Sequence, residues 1–119
     1  MSKQVSWVLE LNVQPEHKEA FPALVEEMVT ATQANEPGTL DYHWSTGEGG
    51  TVCQIYERYA DSDAVLAHLA NFGEHFAARF MEILAPTRFV VYGEPNQEVR
   101  DALAGFGPTY MESVGGFSR

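Results

Sequence analysis

Two histidines share a predicted helical face with apolar side chains. His68 and His75 are seven positions apart, and Val65, Leu69 and Phe72 fall on the same face at helical spacing. Imidazole has the side-chain pKa nearest neutral pH, so His68 is a candidate general base and His75 a pocket residue. The alternative for each is a core or rim histidine bonded to a backbone carbonyl. No acidic third ligand follows at helical spacing, so we predict no metal site.

A strand-like segment offers a second set of polar candidates. Tyr56 and Arg58 alternate with Glu57 and Tyr59, so each pair shares one face of a predicted strand. If the Tyr56 face borders a cavity, Tyr56 could hydrogen-bond a substrate oxygen while Arg58 stabilises a developing oxyanion. Cross-strand packing and a surface ion pair are the alternative. A cavity would also need apolar sides.

Aromatic side chains could form those sides. Tyr42 and Trp44 share one face of another predicted strand, and Phe72 belongs to an aromatic stripe on the helix. Core packing explains the same pattern.

Cys53 is the single cysteine, which excludes an intrachain disulfide and a cysteine-based metal cluster. The chain also contains no glycine-rich phosphate loop and no nucleophile elbow, so several common enzyme classes are disfavoured.

The composition and charge of the chain limit the kinds of partner it can bind. The chain has 119 residues with 17 acidic and seven basic side chains, giving a formal net charge of −10. This length suits one domain with one core. A negative field repels phosphate backbones and anionic headgroups, which argues against nucleic-acid and membrane partners. The N-terminus lacks the apolar segment of a signal peptide, and no apolar run is long enough to span a membrane, so we predict a cytoplasmic protein.

Alternating and helical patterns predict the elements that must position these residues. Val5 to Val13 alternates as a strand, and Pro15 opens a helix that Pro22 kinks or restarts and that residues 36–38 end. Two strands follow, joined by a glycine-rich hairpin at residues 47–50. A helix capped at residues 61–63 breaks at Gly73 and closes at Pro86.

The C-terminal third completes the pattern. Residues 88–92 are predicted to form the fourth strand, and a short helix over residues 97–104 follows, with Asn96 as its cap and Gly105 as its stop. The remaining tail could add a strand. The order β-α-β-β-α-β predicts an α+β, ferredoxin-like subunit in which the helices cover one face of the sheet. Pairing two such sheets into a dimeric α+β barrel would cover the second face and the edges.

Three stretches of the chain carry a family resemblance. They are residues 35–42 (NEPGTLDY), residues 56–64 (YERYADSDA) leading into Ala67-His68-Leu69, and residues 89–93 (FVVYG). Together they resemble the antibiotic biosynthesis monooxygenase superfamily, and within it the small quinol monooxygenases. The resemblance covers most of residues 5–94. We therefore divide the chain into a ferredoxin-fold domain at residues 1–95 and an appended helix and tail at residues 96–119.

The resemblance implies a homodimer with a ligand cavity between the sheet and the helices of each subunit. It also implies oxidation of a quinol, polycyclic phenol or anthrone by molecular oxygen with no cofactor, neither metal nor flavin. Such chemistry needs a base and a dry aromatic pocket. His68 is the candidate catalytic base. The candidate substrate-binding residues are Asn12, Trp44, Tyr56, Arg58, Phe72 and His75.

Two other functions stay open. Asn12 matches an asparagine of the haem-degrading branch, but the second helical region contains no tryptophan, which argues against haem degradation. The alternative from another class is a non-catalytic dimeric module that binds a small hydrophobic molecule. The two histidines on an apolar face favour the enzyme, whereas the absence of a uniquely catalytic set of residues favours the module.

Overall fold

The computed structural model of the chain describes residues 3–119 as one five-stranded sheet with helices packed on one face. The strands are β1 (Val5–Val13), β2 (Thr39–Thr46), β3 (Val52–Tyr59), β4 (Leu84–Gly93) and β5 (Thr109–Met111). The helices are α1 (Phe21–Asn35), α2 (Ser62–His75), α3 (Ala77–Ile83) and α4 (Gln97–Leu103). The strand order is β2-β3-β1-β4-β5, with β5 parallel to β4 and the other neighbours antiparallel.

The alternation of β1 explains why the helices cover only one face. Its apolar residues, from Val5 to Val13 at every second position, are all buried, while the residues between them are more exposed. The side chains of α1, α2 and α3 pack on that inner face and complete the core. The predicted α+β, ferredoxin-like subunit is confirmed.

The first helix starts later than the sequence pattern predicted. Residues Pro15–His17 form a short 3-10 turn, and α1 begins at Phe21 with Pro22 in its first turn. A proline is tolerated there because the first helical N–H groups have no intrahelical acceptor. Pro22 therefore lies in the first turn of a new helix, and of the two predicted outcomes, a kink or a restart, the restart is observed.

The break in the second helical region was predicted at the wrong residue. Helix α2 continues through Gly73 to His75, and the backbone leaves helical geometry at Phe76, with φ −128° and ψ −19°. The closing residue was also wrong, because α3 ends at Ile83 and Pro86 lies inside β4. Pro86 sits opposite Leu11, next to a register shift in the β1–β4 pairing. A strand tolerates proline at such an irregularity because a ladder hydrogen bond is already missing there.

The C-terminal segment is fastened to both layers of the fold. The Asn96 side chain caps α4 by accepting a hydrogen bond from the Val99 N–H, as predicted. The Asn96 N–H itself donates to Ser62 Oγ at the start of α2, at 3.0 Å. Beyond α4, β5 adds to the sheet beside β4, and the Arg100 guanidinium lies 4.1 Å from the centre of the Tyr110 ring. No helix within residues 3–119 has the length and apolar character needed to cross a membrane.

Candidate active site

His68 projects from α2 into the interior, where it lies between two carboxylates. Its side chain is 7% exposed. Nδ1 is 2.7 Å from Glu36 Oε1, and Nε2 is 3.2 Å from Glu57 Oε1. The three side chains come from α2, the end of α1 and β3, so the cluster exists only once these elements have packed together. We call Glu36, His68 and Glu57 the carboxylate–imidazole relay.

Glu36 is held at the point where α1 ends. Its Oε1 accepts a hydrogen bond from Thr39 Oγ1 at 2.9 Å, and its Oε2 accepts one from Asn71 Nδ2 at 3.3 Å. The turn that follows passes very close to α2, since a Cβ built on Gly38 would lie 2.6 Å from the Cβ of Ala64. Glycine thus permits the close approach that brings Glu36 within hydrogen-bond distance of His68.

Glu57 projects from the inner face of β3 and is almost fully buried. Its Oε1 also accepts a hydrogen bond from the Tyr59 hydroxyl. Both contacts of Glu57 use Oε1, which leaves Oε2 without a hydrogen bond to any of the residues that the structure describes. A carboxylate oxygen in that state, on a side chain that is mostly buried, is a candidate proton acceptor for a bound molecule.

The charge on the relay follows from its surroundings. Burial on its own would lower the pKa of His68, but the hydrogen bonds to Glu36 and then to Glu57, with the charges of both carboxylates, raise it to about 9. Burial opposes ionisation of Glu36, yet its contacts with His68 hold its pKa below the usual value. His68 is therefore an imidazolium at neutral pH, with a carboxylate beside each ring nitrogen, and it has no free lone pair to act as a base.

Two tyrosines beside the relay remain neutral phenols. Burial, and then the charge of Glu57, raise the pKa of Tyr42 and of Tyr59 well above the ordinary value. The Tyr59 hydroxyl donates a hydrogen bond to Glu57 Oε1, and the centre of its ring lies 5.3 Å from that of His68. Tyr59 therefore acts as a hydrogen-bond donor at physiological pH, and both rings pack against His68.

An apolar cavity lies between the helices and the sheet, and the relay forms part of its wall. The space inside it that water can occupy is about 40 Å³, and the empty space counted together with the part open to solvent is about 430 Å³. The aromatic rings along it are those of Trp7, Tyr42, Phe72, Phe80, Phe89 and Phe106, and aliphatic side chains fill the gaps between them. The indole N–H of Trp7 is buried with no hydrogen-bond acceptor within the described part of the chain. Such a cavity suits a flat, mostly apolar molecule that carries an ionisable oxygen.

A second, more polar cleft reaches the relay from the side of the helices. It runs between α1 and α2 and is lined by Thr32, Asn35, Asn71 and His75, with Glu36 and His68 at its inner end. The relay therefore separates an apolar cavity from a polar opening.

The structure brings some of the residues predicted from sequence together at this site. His68 and Phe72 both line the apolar cavity, and Phe72 also borders the polar cleft. His75 stands at that cleft with its side chain 58% exposed. Trp44 faces the same side of the sheet, but it packs against neighbouring rings, including Phe80 at 6.1 Å, and is not part of the cavity wall.

The structure separates three other predicted residues from the cavity. Tyr56 and Arg58 lie on the outer face of β3, because the alternate residues of that strand, among them Glu57, are the buried ones. Arg58 pairs there with Asp41. Asn12 is exposed on the outer face of β1. The condition that the Tyr56 face borders the cavity is therefore not met, and the polar groups beside His68 are carboxylates.

Sequence reasoning missed Glu36 and Glu57. A signal existed for Glu57, because it alternates with Ile55 and Tyr59 and so shares the apolar face of its strand. An ionisable residue in such a position is buried only if it is paired, which makes it a functional candidate. Glu36 offered no such signal, since it reads as the end of a helix.

The raised pKa of His68 predicts an alkaline loss of stability. The unfolded value is about 6.5 and the folded value about 9, so the contribution of His68 is complete below pH 6.5 and is lost as the pH rises through 9. We expect the free energy of unfolding to fall by about 3 kcal/mol over that window. The lowered pKa of Glu36 has the opposite sign, so its contribution is lost as the pH falls below 4.5.

Urea denaturation between pH 5 and 9 measures this effect. His68→Leu should flatten the alkaline limb, whereas replacing the exposed His43 by Gln should leave it unchanged. A wild-type curve that is level from pH 6.5 to 9 would contradict the assignment. Measurements should stop at pH 9, because burial raises the pKa of Cys53 to about 11 and adds its own alkaline destabilisation.

Comparison with known proteins agrees with this architecture. MupZ from Pseudomonas fluorescens is 28% identical, with 99% of this chain and 96% of that chain covered and a TM-score of 0.86. Rv0793 from Mycobacterium tuberculosis is 23% identical, with coverage of 79% and 97% and a TM-score of 0.64. SnoaB, a cofactor-independent oxygenase from Streptomyces nogalater, is 16% identical, with coverage of 81% and 97% and a TM-score of 0.65. At these last two identities the likeness shows the fold alone.

A family profile covers the relay itself. No curated protein matches the chain. The profile described as antibiotic biosynthesis monooxygenase matches residues 5–82, which include all three members of the relay. The resemblance noted from the sequence is thereby confirmed, and the chain belongs to the antibiotic biosynthesis monooxygenase family.

Proposed function

We propose that the chain is a cofactor-independent monooxygenase that oxidises a quinol or polycyclic phenol with molecular oxygen. The observation that carries the proposal is the carboxylate–imidazole relay in the wall of an apolar, aromatic cavity. Membership of the monooxygenase family supports the reaction class. The cavity chemistry, an ionisable group facing aromatic rings, supports the substrate class.

In this proposal the general base is Glu57 and not His68, the residue predicted from the sequence. Glu57 Oε2 takes the hydroxyl proton of the substrate, and the His68 imidazolium stabilises the aryloxide that forms beside it. The aryloxide gives one electron to oxygen, and the resulting aryloxyl radical joins superoxide at a ring carbon through a new C–O bond. Protonation by Glu57 gives a hydroperoxide, and loss of water leaves a carbonyl. For a naphthol the sum is ArH(OH) + O2 → quinone + H2O.

The apolar walls have a separate task in this mechanism. Trp7, Phe72 and Phe80 keep water away from the radical pair, so that superoxide does not escape before the C–O bond forms. The Trp7 indole N–H, which has no acceptor among the residues that the structure describes, is available to a carbonyl or hydroxyl oxygen of the substrate. These groups bind and orient the ring, whereas the relay moves the proton.

Oxygen uptake tests the proposal. Metal-stripped protein is mixed with a panel of naphthoquinols, naphthols and anthrones, beside heat-denatured protein, because such compounds also autoxidise. We expect uptake well above this control for at least one compound, with one oxygen atom from 18O2 found in the product by mass spectrometry. Uptake equal to the control over the whole panel would contradict oxygenation.

The relay also favours a second candidate function. It holds a carboxylate and an imidazolium side by side, so it can remove a proton from one atom and stabilise charge at another without any oxygen. A proton-transfer reaction such as an isomerisation would use the same residues. Product formed under anaerobic conditions would favour it. Ligand binding with no turnover in either atmosphere would favour the non-catalytic binding module.

We further propose that the chain forms a homodimer through the outer face of its sheet. Apolar side chains stand exposed there, including Val52 and Tyr56 at 39% and Tyr92 at 43%. A second copy would cover them and close the two sheets into a barrel. Analytical ultracentrifugation should give twice the mass of one chain, and Tyr56→Glu should shift the protein towards monomer. A monomeric wild type at micromolar concentration would contradict this arrangement.

A further inference from the structure

The end of the cavity farthest from Glu57 is built by the C-terminal segment. Leu103, at the end of α4, is buried against the cavity, and Phe106 follows in a 3-10 turn and lines the opening. The Phe106 ring lies edge-to-face with that of Phe89 on β4, with the two centres 6.2 Å apart. Phe106 is itself 38% exposed, so it stands where the cavity meets solvent. This segment lies beyond residue 82, where the match to the family ends.

The register of the sheet gives the backbone distance across the floor of the cavity. Glu57 on β3 pairs with Trp7 on β1, and the neighbouring Leu9 pairs with Phe89 on β4. Two strand spacings therefore separate Glu57 from the Phe89 side, which is about 10 Å. Three linearly fused rings are about this long. A molecule with its hydroxyl at Glu57 reaches Phe106 only if it carries two or three fused rings, and a single ring stops short.

The segment is held firmly enough to act as a wall. Helix α4 is tied to α2 by the Asn96–Ser62 hydrogen bond, and β5 is paired with β4 on the other side of the turn. Gly107 adopts a left-handed conformation, with φ +62°, which lets the chain reverse between Phe106 and β5. The position of Phe106 is thus set by anchors on both sides of it.

We propose that Phe106 selects the size of the substrate, favouring a fused polycyclic phenol over a single-ring phenol. The inference rests on the proposed function for the hydroxyl at Glu57. Phe106 contributes by packing against the far ring of the ligand, a contact that only a long aromatic molecule can make. It takes no part in proton transfer, so its effect is on affinity and not on the chemical step.

Binding without oxygen tests this selection separately from turnover. Quenching of tryptophan fluorescence under nitrogen measures the affinity of 2-anthrol and of phenol, with Trp7 in the cavity wall as the reporter. Phe106→Ala is expected to weaken 2-anthrol binding about fivefold and phenol binding by less than about twofold. Phe117→Ala, whose ring is 80% exposed in the tail, is the matched control and should change neither.

The outcomes separate the two proposals. Equal weakening of both ligands, or no weakening of either, would overturn size selection by Phe106. Failure of 2-anthrol to bind the wild type would overturn both the selection and the proposed substrate class. Selective weakening in a protein that consumes no oxygen with any substrate would support the selection and overturn oxygenation alone. Because Phe106 is partly exposed, its replacement leaves the core intact.

Discussion

Glu57→Gln should lower the turnover number for a phenolic substrate by about 10³-fold and leave ligand affinity nearly unchanged. Glu57 is the only relay carboxylate that lines the apolar cavity, and its Oε2 is free to accept the substrate proton. The amide of glutamine keeps the shape and can still accept hydrogen bonds from Tyr59 and His68. It cannot take up a proton at neutral pH, so the loss is expected in kcat and not in binding.

The experiment needs a carboxylate control and an independent measure of the ligand. Glu26→Gln removes one negative charge from the exposed side of α1 and should leave oxygen uptake unchanged. Anaerobic fluorescence quenching shows whether Glu57→Gln still binds the substrate. Turnover within about threefold of wild type would exclude Glu57 as the base. Loss of binding together with turnover would instead indicate that Glu57 holds the substrate.

His68→Leu should destabilise the fold by about 3–5 kcal/mol at pH 7. The substitution leaves the carboxylates of Glu36 and Glu57 buried with no cation between them, and both are less than 10% exposed. Leucine fills much of the space of the imidazole, so the loss reports the missing charge more than a cavity. In a chain of this length, the loss corresponds to a melting temperature about 10–20 °C lower.

A triple variant distinguishes charge from packing. Glu36→Gln and Glu57→Gln, added to His68→Leu, remove every charge of the relay and should restore most of the lost stability, because a buried ion cluster adds little over neutral groups of similar volume. His75→Leu is the control for losing a histidine from α2, because the His75 side chain is 58% exposed. A single variant that loses less than about 1 kcal/mol would show that the relay is not the buried ion cluster described above.

Local patterns determined most of the architecture. The alternation in β1, the Asp61 and Asn96 caps and the positive-φ glycines of the β2–β3 hairpin are properties of short stretches, and each lies where the sequence predicts it. The apolar face of α2 and the position of His68 on it follow from helical spacing alone. Together with the family resemblance, these patterns were enough to predict the α+β fold.

Register and long-range packing determined the site. Period-two alternation in β3 separates Tyr56 from Glu57 but does not say which face the helices cover, and the pairing with β1 puts Glu57 inside. The helix break at Phe76 could not be predicted from local sequence either, because the nearby Gly73 is the stronger local signal for a break.

The chemistry of His68 depends on contacts that span the chain. Glu36 lies 32 positions away in sequence, and its approach depends on how α1 ends beside α2. A histidine on an apolar helix face can be a neutral base or a buried cation, and only its neighbours in space decide between them. The sequence by itself therefore determined the fold and the place of His68, whereas tertiary packing decided its charge, because two distant carboxylates had to be brought against one ring.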